Sequence, residues 1–110
     1  MRKRLERLVG QRHTFTATFI RYGVAKAVRG KRIDHLLFLD VRNSKGRLMA
    51  HHIWMPLSQG EQMPEMFTGD VIRFSAEVNR YWKGEKHPRM DYGLRCPKQV
   101  ELVEIEMETA

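Results

Sequence analysis

The sequence predicts an all-β fold with short helical segments, in which five strands form one small Greek-key barrel. Three observations support this prediction. Runs of alternating apolar and polar residues recur along the chain, they are rich in Thr, Val, Ile and aromatic residues, and turns containing Gly or Pro separate them. With 110 residues the chain can bury one modest core, so we expect a single domain.

Five segments meet these criteria, with boundaries set by the turn residues between them. The predicted strands span residues 13–22, 33–42, 47–55, 71–82 and 91 to about 105. The first strand alternates clearly, because Phe15, Ala17 and Phe19 point to one side and threonines to the other. Gly23 is interpreted as the bend that ends this strand. A short turn that ends at Gly46 joins the second and third strands into a hairpin.

The fourth strand has the clearest period of two in the chain. Its core-facing residues by alternation are Ile72, Phe74, Ala76 and Val78. The same parity places Trp82 as a cap on the core and leaves Tyr81 on the exposed side. Pro97 interrupts the last strand, which we expect to resume after it.

The segments around these strands complete the predicted organisation. Residues 1–10 form a basic helix or arm, residues 11–105 the barrel domain and residues 106–110 an acidic tail. Between the third and fourth strands lies a connector, with one helical turn expected after Pro64.

Five strands with one longer connector after the third match the plan of the OB fold, a partly open Greek-key barrel. An SH3-like barrel is the main alternative. The segments TFTATFIRYG, LLFLDVRNSKG, HHIW, GDVIRFSAEVNRYWKG and YGLRCP resemble a group of small OB-type proteins carried by bacteria and their mobile elements. The resemblance covers about residues 12–98 and implies the fold and a bacterial or phage setting, but no defined activity.

The charge of the chain favours an anionic partner. The formal net charge is +7, and four of the thirteen acidic residues lie in the last ten residues, which contain no Lys or Arg. The body of the chain is therefore more basic than the total suggests. A basic body with an acidic tail is typical of proteins that bind polyanions such as nucleic acid.

The two loops that frame the ligand in OB folds, between strands one and two and between strands four and five, are both basic here. Their cations are Lys26, Arg29, Lys31, Arg32, Lys83, Lys86 and Arg89. Arg21 and Tyr22 end the first strand beside one loop, and Tyr81 leads into the other. Trp54 is either a core residue or a ring on which a base stacks. Together these residues form the predicted site for single-stranded DNA or RNA, the choice between the two polymers remaining open.

Neither catalysis nor a cofactor is expected. Cys96 is the single cysteine and is interpreted as a small buried apolar residue. The adjacent His51 and His52 point to opposite faces of a strand, and no cluster of metal ligands accompanies them. No secretory signal peptide and no segment long enough to span a bilayer is apparent, which favours a cytoplasmic protein without a membrane partner.

A second hypothesis is a protein-interaction module, such as an accessory subunit of a larger nucleoprotein or mobile-element complex. It requires an exposed apolar patch on the surface. The candidates are Met49, Met55, Met63 and Met66. The alternative for these methionines is that they fill the core.

Overall fold

A computed structural model describes residues 3–25, 33–57, 63–84 and 86–103, with the side chains of residues 24, 25 and 33 left aside. These residues form a 3-10 helix, η1, and five strands. The bounds are η1 Lys3–Leu8, β1 Arg12–Ala25, β2 Ile33–Asn43, β3 Leu48–Pro56, β4 Val71–Lys83 and β5 Arg89–Leu102. All five predicted strands are present, so the all-β prediction is confirmed, with a short N-terminal helix of the 3-10 type.

The strands form one antiparallel sheet in the order β3-β2-β1-β4-β5. β1 is the central strand. Its first half pairs with β4 on one side, and most of its length pairs with β2 on the other side. The first four strands therefore have the spatial order of a Greek key, in which the fourth strand returns to lie beside the first. The connector that the sequence placed between the third and fourth strands makes this return.

The sheet is not closed into a barrel by hydrogen bonds in the part of the chain that the structure describes. Its two edge strands, β3 and β5, nevertheless lie against each other, and η1 packs against both. Leu5 of η1 is wholly buried in the core. Burial and the neighbouring Glu6 carboxylate both raise the pKa of Tyr92 on β5, which places η1 directly beside that strand.

The core fills the space enclosed by the curved sheet. Aromatic rings occupy its centre, and Phe38 stacks on Phe74 with ring centroids 5.3 Å apart. The methionines proposed for an exposed patch belong instead to the core: Met49, Met55 and Met66 are buried, and Met63 is half-buried against it. The core-filling interpretation of these residues is therefore the correct one.

Bulges interrupt the alternation of β1 and β2. The β1–β2 register shifts between Phe19 and Arg21, and again between Thr16 and Thr18, opposite the bulge at Asp40. Asp40 has a positive φ of 56° there. Because an extra residue reverses the sides to which later side chains point, the parity of β1 before Phe19 does not hold after it.

β5 accommodates its proline through two further bulges. The β4–β5 register shifts twice, and Cys96 and Gln99 at these sites have φ of 53° each. Pro97 therefore lies within one continuous strand, where the sequence predicted an interruption. Cys96 is half-buried rather than buried.

Three other local expectations were wrong. β1 does not end at Gly23 but continues to Ala25. The residues after Pro64 form no helical turn in the described part of the connector, which leads into a hydrogen-bonded turn around Gly69. Trp82 does not cap the core and is 68% exposed, because the core beneath β4 ends before the strand does.

None of the helical structure in the described ranges is long and apolar enough to cross a bilayer.

Candidate nucleic-acid interface

Trp54 lies on the outer face of the sheet. Its neighbours in β3, Ile53 and Met55, are both buried, so strand alternation directs Trp54 away from the core. The Trp54 side chain is 38% exposed. Trp54 is therefore a surface residue, and the interpretation of it as a core residue is wrong.

The ring of Trp54 rests on a glycine two strands away. A Cβ atom on Gly23 would lie only 2.6 Å from Cζ3 and 2.9 Å from Cη2 of the indole. Real Cβ atoms essentially never come so close to another heavy atom, so the indole reaches across β2 and lies directly over the bare backbone of β1. Gly23 thus makes room for the ring.

Arg21 completes the contact. Its guanidinium carbon lies 5.0 Å from the centroid of the Trp54 ring, within the range of a cation–π interaction. Arg21 and Gly23 are two residues apart on β1 and therefore face the same side. The indole is held between an exposed cation and the glycine, which restricts its orientation before any ligand binds.

Apolar side chains extend the surface along β2. Leu37 pairs across the sheet with both Arg21 and Trp54, and Leu39 pairs with His52. Leu39 is 40% exposed, although β2 is an interior strand of the sheet. We name this outer face of β1, β2 and β3 the Trp54 surface, and define it by Arg21, Gly23, Leu37, Leu39, His52 and Trp54.

Tyr22 does not belong to the Trp54 surface. It pairs with the buried Leu36, and its ring packs edge-on against the buried Phe19 with centroids 5.0 Å apart. Tyr22 therefore lies on the core side of the sheet, at an open end where it is 51% exposed. Arg21, with which the sequence grouped it, is the preceding residue of β1 and therefore points to the opposite face of the sheet.

Tyr81 forms a second, smaller aromatic site at the end of β4. A Cβ atom on Gly93 would lie 3.2 Å from Cε1 of Tyr81, so this ring also covers a glycine of a neighbouring strand. Tyr81 is 36% exposed, which agrees with its predicted outward position. Lys83, Lys86 and Arg89 follow it and are all exposed.

The first basic loop lies outside the described residues, and with it Lys26, Arg29, Lys31 and Arg32. Its attachment points are described. The pairing between β1 and β2 ends at Ala25 and Ile33. Two residues earlier on β1, Gly23 pairs with His35, and the ring of Trp54 lies over this glycine. The last described residue before this segment and the first one after it therefore lie near the Trp54 surface.

Several other cationic side chains on the sheet form ion pairs with acidic residues. Arg42 pairs with Asp40 at 2.9 Å, Arg73 with Glu101 at 2.7 Å and Arg95 with Glu77 at 2.7 Å. The hydrogen bond and the charge of Arg95 lower the pKa of Glu77 below its ordinary value, with a smaller contribution from Arg12. Two of these pairs join β4 to β5 and the third lies within β2, and all three reduce the positive potential of this part of the sheet.

Within the described ranges, no group of three or more His, Cys, Asp or Glu side chains is placed to hold a metal ion. His51 and His52 are both exposed and both line one cleft. β3 is an edge strand, so side chains from both of its faces reach the space beside it.

Sequence reasoning missed Gly23, Leu37 and Leu39 as parts of the surface. A glycine inside an apolar, alternating segment was an available signal, since such a glycine often marks the close approach of another group. Searches for a matching protein-family model, curated protein or solved structure find none for this chain.

Proposed function

We propose that this protein binds single-stranded nucleic acid on the Trp54 surface, without catalysing a reaction. The observation that supports this most directly is the Trp54 ring, held over Gly23 beside Arg21 and still 38% exposed. With the exposed Leu39, the uncovered part of this ring forms an apolar patch on the outer face of the sheet, and such patches can serve as contact surfaces. A nucleobase is a flat partner that stacks on such a ring.

The strand order supports an OB-type barrel as the scaffold. Joining β3 to β5 would close the five strands in a ring, and these two edges already lie against each other. In barrels of this type the ligand crosses the second and third strands between the loops that follow the first and fourth strands. On such a scaffold the ligand would cross the Trp54 surface, which lies on β1, β2 and β3, and both loops are rich in Lys and Arg in the sequence.

Stacking and charge have separate roles in this proposal. Stacking of one base on an aromatic side chain contributes about 1–3 kcal/mol and tolerates any base. The loop cations attract the phosphate backbone and make the affinity fall with salt. Arg21 can remain on the indole or turn to a phosphate, since its side chain is exposed. We therefore expect binding with little sequence preference.

The protein-interaction hypothesis is less favoured. The methionines that it relied on lie in the core, so they offer no exposed patch. Phe67 and Trp82 are exposed apolar residues of the described chain, but they lie on different elements, the connector and the end of β4. A base-stacking surface accounts for the arrangement of Trp54, Gly23 and Arg21, which a general apolar contact does not require.

Tryptophan fluorescence tests the proposal directly at Trp54. In a Trp82→Phe background Trp54 is the remaining indole, and a thymidine oligonucleotide titrated at low salt should quench its emission. Trp54→Ala should weaken binding about tenfold or more, as measured by anisotropy of a labelled oligonucleotide. Phe67→Ala is the matched control, because it removes an exposed ring outside the surface and should leave the affinity unchanged. No binding at low salt, or equal effects of the two variants, would refute the proposal.

A further inference from the structure

A half-enclosed cleft lies where β3 faces β5. Its volume is about 560 Å³, within the range of small-ligand sites. The apolar part of its wall comes from β3, through Leu48, Met49 and Ala50. Its polar lining consists of Lys3, Arg4, His51, His52, Lys83 and Asp91.

These polar residues come from four separate elements, η1, β3, β4 and β5, and five of the six are basic side chains. Asp91 is the single carboxylate in the lining and is almost wholly buried. One of its oxygens, Oδ1, accepts the Tyr92 backbone N–H at 2.8 Å, and the other, Oδ2, lies 3.8 Å from Nζ of Lys83. The carboxylate is thus committed to holding the backbone of β5 and orienting Lys83, while the rim remains positive.

The geometry points to a phosphate-binding cleft, and we propose that it takes the terminal phosphate monoester of the bound single strand. This inference rests on the proposed function for the source of the phosphate, whereas the cleft itself requires only an anion of this class. A phosphate monoester carries about −1.5 to −2 charges near neutral pH and has three strong acceptor oxygens. Lys and Arg side chains drawn from several elements suit such a group.

The position of the cleft favours the end of a strand over its middle. His52 belongs both to the Trp54 surface and to the cleft, so the two sites are continuous. A strand that runs along the Trp54 surface past His52 enters the cleft, which Lys3 and Arg4 of η1 also line. Arg4 is fixed there by donating to the Leu48 carbonyl oxygen. Because η1 packs against both β3 and β5 here, we expect the cleft to accept the terminus of a strand in preference to a continuing chain.

The test compares thymidine oligonucleotides of one sequence that end in a 5′-phosphate, a 3′-phosphate or hydroxyl groups at both ends. One of the two phosphorylated strands should bind about five- to tenfold more tightly than the hydroxyl strand, the sum of a few exposed ion pairs. Lys3→Ala and His51→Ala should each reduce this ratio, and the two substitutions together should abolish it. Lys45→Ala, which removes an exposed lysine of the β2–β3 turn, should preserve it.

Three outcomes are informative about separate claims. Equal affinity of all three strands, or a ratio that survives both Lys3→Ala and His51→Ala, overturns the cleft as the site of the terminal phosphate and leaves the stacking proposal intact. If no strand binds, the proposed function fails, and adenosine monophosphate then serves as the probe. Shifts of the backbone amide resonances of residues 48–52 and 91 on its addition would retain a phosphate site for a free nucleotide. Their absence would overturn the cleft as well.

Discussion

Gly23→Ala is the most specific perturbation that the structure offers. The added Cβ would stand 2.6 Å from Cζ3 of Trp54, so one of the two must move by roughly 1 Å to reach ordinary contact. The backbone of β1 is paired on the β2 side through this region. We therefore expect the exposed indole to lift from the sheet while the strand stays in place.

The size of the effect follows from how much of the ring is covered. With 38% exposed, Trp54 has about 150 Å² of largely apolar surface in contact, equivalent to about 4 kcal/mol at 25 cal/mol per Å². A lift of the ring forfeits part of this, which we place at about 1–2 kcal/mol of the free energy of unfolding. The stacking geometry is lost with it, so single-strand affinity should fall by about 1–3 kcal/mol.

A double-mutant cycle distinguishes this mechanism from a general defect in β1. Urea unfolding should show the loss for Gly23→Ala in the wild-type background, but not in a Trp54→Ala background. Without the indole, Ala at position 23 should be neutral or stabilising by roughly 0.5 kcal/mol, because glycine is unfavourable inside a strand and φ at Gly23 is not in the left-handed region. Equal destabilisation in both backgrounds would refute the close packing of ring and glycine.

Three further predictions follow from the second aromatic site, the loop cations and one ion pair. Tyr81→Ala should reduce single-strand affinity by about 1–3 kcal/mol and change the melting temperature little, as seen by anisotropy and thermal unfolding; a protein that unfolds would show that the ring is structural. Lys86→Ala should lower the slope of log affinity against log salt by about one, whereas Lys45→Ala should not. Glu77→Gln should reduce the free energy of unfolding near neutral pH. Because Arg95 lowers the folded-state pKa of Glu77 below the ordinary 4.5, this stabilisation exists above about pH 4.5 and disappears as the pH falls through the folded-state pKa. Urea unfolding of both proteins near pH 7 and about pH 3 should therefore show a larger difference at the higher pH.

Alternation was sufficient to predict the strands. Phe15, Ala17 and Phe19 are buried as expected, and so are Ile72, Phe74, Ala76 and Val78. Alternation does not predict where the core ends or where a strand has a bulge. Trp82 has the parity of the core but lies beyond it, and Tyr22 lies past a bulge that no local signal in β1 announces.

The candidate site could be predicted only in part, because the sequence pattern does not show which residues of different strands lie side by side. Tyr81 could be chosen as a candidate because it ends the fourth strand beside a basic loop, and Trp54 because it is an aromatic residue late in the third strand. Their glycine partners, Gly23 and Gly93, lie on other strands, and only the register between strands identifies them. The cleft required still more, since it brings together η1 and the two edges of the sheet, which are far apart in the sequence.

The Greek-key order also has a consequence for how the chain acquires its structure. β1 is made first, yet one of its two partners, β4, begins at Val71, and Arg12 must find Glu77. Until then the growing chain can form only a three-stranded meander that leaves Phe15, Phe19 and Phe38 uncovered on one side. Pairings between residues so far apart in sequence form slowly. Synthesis therefore passes through an interval in which a nascent three-stranded sheet exposes an aromatic face, and chains truncated before β4 should aggregate.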